Sequence, residues 1–357
     1  VIAAPPPKPP RKSRGWMIFA LVLLALLVLS LATNMQQALS SAFRVTTRTS
    51  RASGPRLEEA VVRETSSNNK IAVVELDGII TGDAIDSSGY NMVSYIKAQL
   101  KRAKSDEDVK AVILKVDSPG GEVLASDEIA GAVRKFQNES HKPVVVSMGS
   151  LAASGGYYVS APCQWIVANE LTITGSIGVI MHGLNYRGLL DKVGVLPQVY
   201  KSGKFKDMMS PTREPDQITP EERQMMQSLI DETYGKFKEV VEKGRTSSYD
   251  SHKGEGRKLK DEWTNYADGR ILSGKEAYEL GFVDELGDFE TAVDRAKKLA
   301  RLSGEANLIR YQQVFDLSDL FRVFGKSDTR GLKVDLGVEI PKLRAGYLYF
   351  LSPTYLH

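Results

Sequence analysis

The sequence predicts an α/β layered fold on three observations. Short β-branched apolar runs at 71–80 (IAVVELDGII), 109–116 (VKAVILKV) and 143–148 (PVVVSM) are bounded by turn residues, the pattern of buried strands. Helical spacing appears near 91–104 and 124–136, and strands alternating with helices build α/β layers. Two small-residue turns, DSPGGEV at 117–123 and LAASGGYY at 151–158, directly follow apolar runs.

In chain order, residues 1–15 form a basic tail containing Lys8, Arg11, Lys12 and Arg14, and no acidic residue precedes Glu58. Residues 16–32 have Ser30 as their one polar side chain, and a helix of this length just crosses about 30 Å of hydrocarbon. The expectation is an N-terminal transmembrane signal anchor. Its basic flank keeps the N-terminus in the cytoplasm and sends the catalytic part outside the bacterial cytoplasmic membrane. A cleaved signal peptide is the rival, because Ser30-Leu31-Ala32 resembles a small-residue cleavage site. Residues 33–69 are rich in Ser, Thr, Arg, Gln and Asn with little periodicity and read as a linker.

The folded domain is expected over 70–303, and about 230 residues suffice for one substantial core. A long helix over 219–244 opens with TPEE: a Thr cap, Pro at the first helical position and acids in the first turn. Met225, Met226, Leu229, Ile230, Tyr234, Phe237 and Val241 follow at spacings of three and four, a core or subunit-contact stripe. Ser273 is placed to cap a short helix that ends at Gly281. The extension 304–357 ends in AGYLYFLSPTYLH, whose aromatics suit a neighbouring subunit, a substrate groove or a membrane surface.

The chemistry centres on Ser154, at a strand-to-helix junction where free N–H donors suit a developing oxyanion. The bland reading is a helix-capping Ser in a tight Gly-Gly turn. The succession DSPGGEV, MGSLAASGGYYVSA, ANELTITGSIGVI and YKSGKFKDMMSPTRE, within about 70–300, resembles the signal peptide peptidase family of SppA type in its short, single-catalytic-domain form. That resemblance implies a serine peptidase with the ClpP/crotonase-like spiral of ββα units.

It also implies roles. Ser154 matches the family's nucleophile and Lys206 its lysine general base. Ser176, in TGSIGVI, matches the serine that orients the lysine, although such a Ser also simply satisfies a turn. The Gly121 and Gly155 amides would form the oxyanion hole, since a missing Cβ lets substrate approach closely. Oligomeric assembly is implied as well, with each subunit holding both Ser154 and its lysine.

A lysine works as a base only when neutral, and lowering its pKa from about 10.4 to about 7 or 8 takes roughly 4 kcal/mol, which desolvation supplies. Lys206 is therefore expected to be buried. Residues 200–207 also offer Lys201 and Lys204; Lys201, after a strand-like run, stays open as the alternative base.

Other chemistries find less support. The four histidines, His141, His182, His252 and His357, have no metal-ligand spacing, and no cofactor is expected. No GxSxG elbow precedes Ser154. Asp117 reads as a turn residue and Cys163 as a small buried one. A net charge of +3, with basic residues clustered beside the apolar segment, suits a lipid bilayer and not nucleic acid. The reading is a Ser/Lys endopeptidase for hydrophobic peptides, remnant signal peptides foremost. A crotonase-like acyl-CoA enzyme and a catalytically idle oligomeric scaffold are the alternatives.

Overall fold

The computed structural model describes residues 22–24, 26–27, 30, 54–84, 89–252, 255–313 and 347–352. Two compact units divide at Ser53 and Gly54. The first contributes only the helical positions at 22–24, 26–27 and 30, whose side chains are exposed. Most of the span expected at 16–32 lies outside the described residues. Among those described, no helix is long and apolar enough to cross a membrane.

The second unit is a mixed α/β fold. Its strands are β1 (Leu57–Arg63), β2 (Lys70–Asp77), β3 (Val109–Ser118), β4 (Gly120–Glu122), β5 (Val144–Ala152), β6 (Trp165–Ala168), β7 (Ile173–Gly175), β8 (Ile180–Met181), β9 (Ile271–Ser273), β10 (Glu285–Leu286), β11 (Asn307–Gln313) and β12 (Leu348–Leu351). Its helices are α1 (Met92–Ser105), α2 (Val123–Ser140), α3 (Gly155–Ser160), α4 (Arg187–Lys192), α5 (Pro220–Ser251), α6 (Gly274–Leu280) and α7 (Phe289–Leu299). The main sheet runs β1-β11-β2-β3-β5-β6-β10, with β7 and β9 branching from β5. Pairing is parallel from β11 through β10 and antiparallel at the β1 edge. A second sheet, β4-β12-β8, is antiparallel.

Strand alternation makes three layers. Val112, Leu114 and Val116 of β3 point to one face and pack with Ile96 and Leu100 of α1 and Ile129 and Val133 of α2. Ala111 and Ile113 point to the other and join Ala292, Val293 and Ala296 of α7. Strands buried on both faces read as continuous apolar runs, which explains why 109–116 and 143–148 were legible.

Two limits move. The stretch expected as a linker contains β1, which pairs with β11, so the sheet begins before Lys70 and continues past residue 303. Sequence reading missed β1 because its side chains are largely exposed and carry little apolar signal. The long helix starts as expected, with a Thr219–Glu222 capping box, and runs on to Ser251. Gly244 does not end it: a Cβ there would lie 2.3 Å from the Ala161 carbonyl oxygen, so the glycine serves a close approach to the α3 turn.

Candidate active site

Parallel strands β3 and β5 end side by side, with Ser118 paired to Ala152, and the Ala153 amide donates to the Ser118 carbonyl at 3.0 Å. The chain then turns sharply at Ser154, whose φ of 54° and ψ of −115° lie where non-glycine residues are rarely found. Two backbone bonds hold it there: the Ser154 amide donates to Gly175 and the Tyr158 amide to the Ser154 carbonyl, each at 2.8 Å. The Ser154 Oγ is buried and has no hydrogen-bond partner. An unsatisfied buried hydroxyl costs about 1–3 kcal/mol, so a strained, unpaired serine marks a working position better than a structural one. The capping alternative is excluded, since Ser154 makes no side-chain cap to α3.

The PGG turn supplies backbone donors. Gly120, with φ of 99°, donates its N–H to Ser118 Oγ at 3.1 Å. The Ile80 amide donates to Gly120 O at 2.9 Å and the Glu122 amide to Ile80 O at 2.8 Å. Alternation along a strand therefore turns the Gly121 N–H to the opposite edge. Gly155 approaches from the nucleophile turn: a Cβ on it would lie 2.7 Å from Ser126 Oγ and 3.1 Å from Gly120 Cα. Gly121 and Gly155 thus converge beside Ser154, and glycine is required because any side chain would fill the space between these backbones.

Ser176 follows Gly175 directly and is also strained, with φ of 50°; it is buried, and its amide donates to Arg270 O at 2.7 Å. Thr174 Oγ1 donates to Ala152 O at 2.7 Å, a second tie between the two turns.

The lysines stand apart. Lys206 is exposed and is not bonded to Ser154 Oγ, so the burial that a neutral amine requires is not supplied within one chain. Lys201 Nζ is paired with Asp207 at 2.5 Å and Lys204 with Glu221, whereas Lys206 has no acidic partner among the described residues. The bond from Lys201, chiefly, lowers the Asp207 pKa and holds Lys201 as an ammonium. Lys201 is committed to that pair and is the poorer base. The loop itself is anchored through Arg213, which lies 3.7 Å from Asp207 and 2.6 Å from Glu222.

Several residues matter that sequence reading passed over. The Asp117 carboxylate accepts the Leu151 amide at 3.0 Å and so braces the strand that enters the nucleophile turn. Tyr158 packs its ring against Phe237 and Phe350, with centroids 5.0 and 4.8 Å away. Its hydroxyl donates to Asp127 at 2.7 Å, and burial together with that carboxylate raises its pKa. His182 is exposed, and Cys163 is buried, its thiol pushed up to about 12 by desolvation. No cluster among the described residues has the makings of a metal site.

A buried strained serine beside two converging glycine amides defines a serine hydrolase site. The chain matches the peptidase family S49 profile over residues 136–303. It is 40% identical over 260 residues to an Enterococcus faecium protein provisionally named signal peptide peptidase SppA, covering 72% of this chain and 71% of that one. It is 42% identical over 241 residues to a provisionally named protease of Synechocystis, covering 67% and 77%. Identity to protease 4 of Haemophilus influenzae is 36% over 233 residues, 65% of this chain and 35% of the longer relative. The chain belongs to the SppA family of S49 peptidases, and it is a serine peptidase.

Proposed function

We propose that this peptidase is a membrane-anchored endopeptidase that degrades remnant signal peptides and other hydrophobic peptides through a Ser154/Lys206 dyad. The observation that carries the reading is Ser154 itself, an unpartnered buried hydroxyl on a strained turn beside the Gly121 and Gly155 amides. Neutral Lys206 takes the proton as Oγ attacks the scissile carbonyl, the two amides stabilise the oxyanion, and the protonated lysine then serves the leaving amine. An acyl-enzyme forms on Ser154 and water releases it. Ser176 orients the lysine.

Lys206 needs desolvation that a single chain does not provide. The segment around it exposes Leu184, Leu189, Leu196 and Tyr200, the last at 92%. A second copy covering this apolar arm would dry the lysine and bring it to a serine, so the active form is read as a homo-oligomer. The parallel sheet, with strands ending at a glycine turn and a serine turn, fits a ClpP/crotonase-like spiral. The apolar segment at 16–32 with its basic flank supports an anchor whose catalytic unit lies outside the cytoplasm.

The test is cleavage of a quenched peptide carrying a signal-peptide apolar core by the full chain in detergent, beside Ser154→Ala and Lys206→Ala. Both variants should be inactive yet folded. Activity in Ser154→Ala would sink the mechanism, and activity in Lys206→Ala would move the base to Lys201.

A further inference from the structure

The last described strand, β12, lies between β4 and β8, the two strands that flank the serine site. Phe350 is in register with Gly121 and Leu351 with Gly120 on one side; Leu348 and Tyr349 pair with Met181 and Ile180 on the other. The Ser352 amide donates to Pro119 O at 2.8 Å. In an antiparallel ladder the bonded pairs alternate, so a bond at Ser352 and Pro119 makes Phe350 and Gly121 a bonded pair as well. The Gly121 N–H thus faces the Phe350 carbonyl. A Cβ built on Gly120 would lie 1.9 Å from Phe350 O and 2.6 Å from Gly155 N, which places that carbonyl in the space shared by the two candidate oxyanion donors.

The side chain is equally specific. Phe350 is fully buried, with its ring centroid 4.8 Å from Tyr158 and 4.6 Å from Phe237. Tyr349 and Leu351 are buried too. The largest cavity among the described residues, 710 Å³ beside Arg134 and Lys236, does not touch Ser154.

We propose that strand Leu348–Leu351 is a tethered inhibitor occupying the position of an extended substrate, with Phe350 seated in an aromatic-walled specificity subsite formed by Tyr158 and Phe237. The inference rests on Ser154 being the nucleophile. Extended peptides bind sheet edges through backbone bonds while alternate side chains fill pockets, and a strand gripped on both edges is an intramolecular case of that mode. The tail is held instead of cut because one chain brings no base to the Ser154 hydroxyl. A substrate must displace the strand, so the apparent affinity falls by the fraction of molecules in which the groove is filled. The subsite also predicts that preferred substrates place an aromatic or large aliphatic side chain next to the cut.

The test compares the full chain with its Phe350→Asp and Ser352→Pro variants. The first expels the ring from its apolar seat. The second removes the amide bond to Pro119 while leaving the aromatic cluster whole, and so remains informative if Phe350→Asp does not fold. Readouts are KM for an apolar quenched peptide, the rate at which a fluorophosphonate labels Ser154, and inhibition by the free peptide of residues 346–354 added in trans. The expected result is a fall in KM of about tenfold, with kcat unchanged, faster labelling, and competitive inhibition by the added peptide. Unchanged KM and labelling in a folded variant, with no inhibition in trans, overturn the proposal while leaving an active enzyme. If neither the parent chain nor any folded variant cleaves or takes the label, the nucleophile assignment fails, and this inference with it.

Discussion

Ser154 and Gly175 are joined by a 2.8 Å bond from the serine amide to the glycine carbonyl, and Gly175 immediately precedes Ser176. The bond ties the nucleophile turn to the turn that carries its expected helper, and both serines occupy left-handed backbone positions. Strain at both ends of one link means that neither turn can relax without moving the other.

Ser176→Ala is therefore expected to separate chemistry from folding. If the hydroxyl orients a lysine, kcat falls by about tenfold or more while KM and the melting temperature stay close to those of the parent. The alkaline pH profile should also move, because the base loses a hydrogen-bond partner. A change confined to melting temperature would reduce Ser176 to a turn residue.

The separation of Lys206 from Ser154 within one chain predicts complementation. Full-length Ser154→Ala and Lys206→Ala are each expected to be inactive, and mixing them under conditions of subunit exchange should restore part of the activity. No recovery after demonstrated exchange would show that one subunit closes on itself. In the active assembly, a lysine base makes activity rise toward alkaline pH as the neutral amine accumulates, and a flat profile from about pH 6 to about pH 9 would count against it.

Acid should loosen the lysine loop through Glu222. The Arg213 guanidinium, with the Thr219 amide, lowers its pKa from 4.5 to about 2. A depressed carboxylate pKa contributes stability above the unfolded value, and that stability is lost as pH falls through the folded one. Glu222→Gln should thus lie below the parent in stability at neutral pH and converge with it between about pH 4.5 and pH 2, measured by urea melts across that window. Parallel curves would assign the acid sensitivity elsewhere.

The buried Arg245–Asp284 pair gives a pure stability test. Both side chains are fully inaccessible, and Asp284 also accepts the Ile166 amide at 2.8 Å while Arg245 reaches the Cys163 carbonyl at 3.2 Å. Asp284→Ala leaves a buried guanidinium uncompensated and is expected to cost about 3–5 kcal/mol. Replacing both by apolar residues, as Arg245→Met with Asp284→Leu, should cost much less, read from urea midpoints. Equal losses would show that the pair acts through its backbone bonds and not through its charge.

Much of the architecture was legible because burial leaves local marks. Strands β3 and β5 are covered on both faces and appear as unbroken β-branched runs, and the Thr219 and Ser273 capping boxes announce α5 and α6 within four residues of sequence. Strand β1 left no such mark, since it is an exposed edge held by pairing to β11, hundreds of residues away. Gly244 misled in the other direction: a glycine near a helix end is ambiguous until its packing partner, the Ala161 carbonyl, is known.

The sequence by itself determined the small-residue turns, the strands that end in them and the nucleophile candidate, because each depends on contiguous residue types and a short-range backbone geometry. Tertiary structure alone decided the rest of the site. It brought Gly121, Gly155 and the Ser176 turn to Ser154, left Lys206 exposed on a loop braced by Arg213, and laid Phe350 between Tyr158 and Phe237. Those relationships are set by strand register and by which surfaces exclude water, and both are properties of residues far apart in the chain.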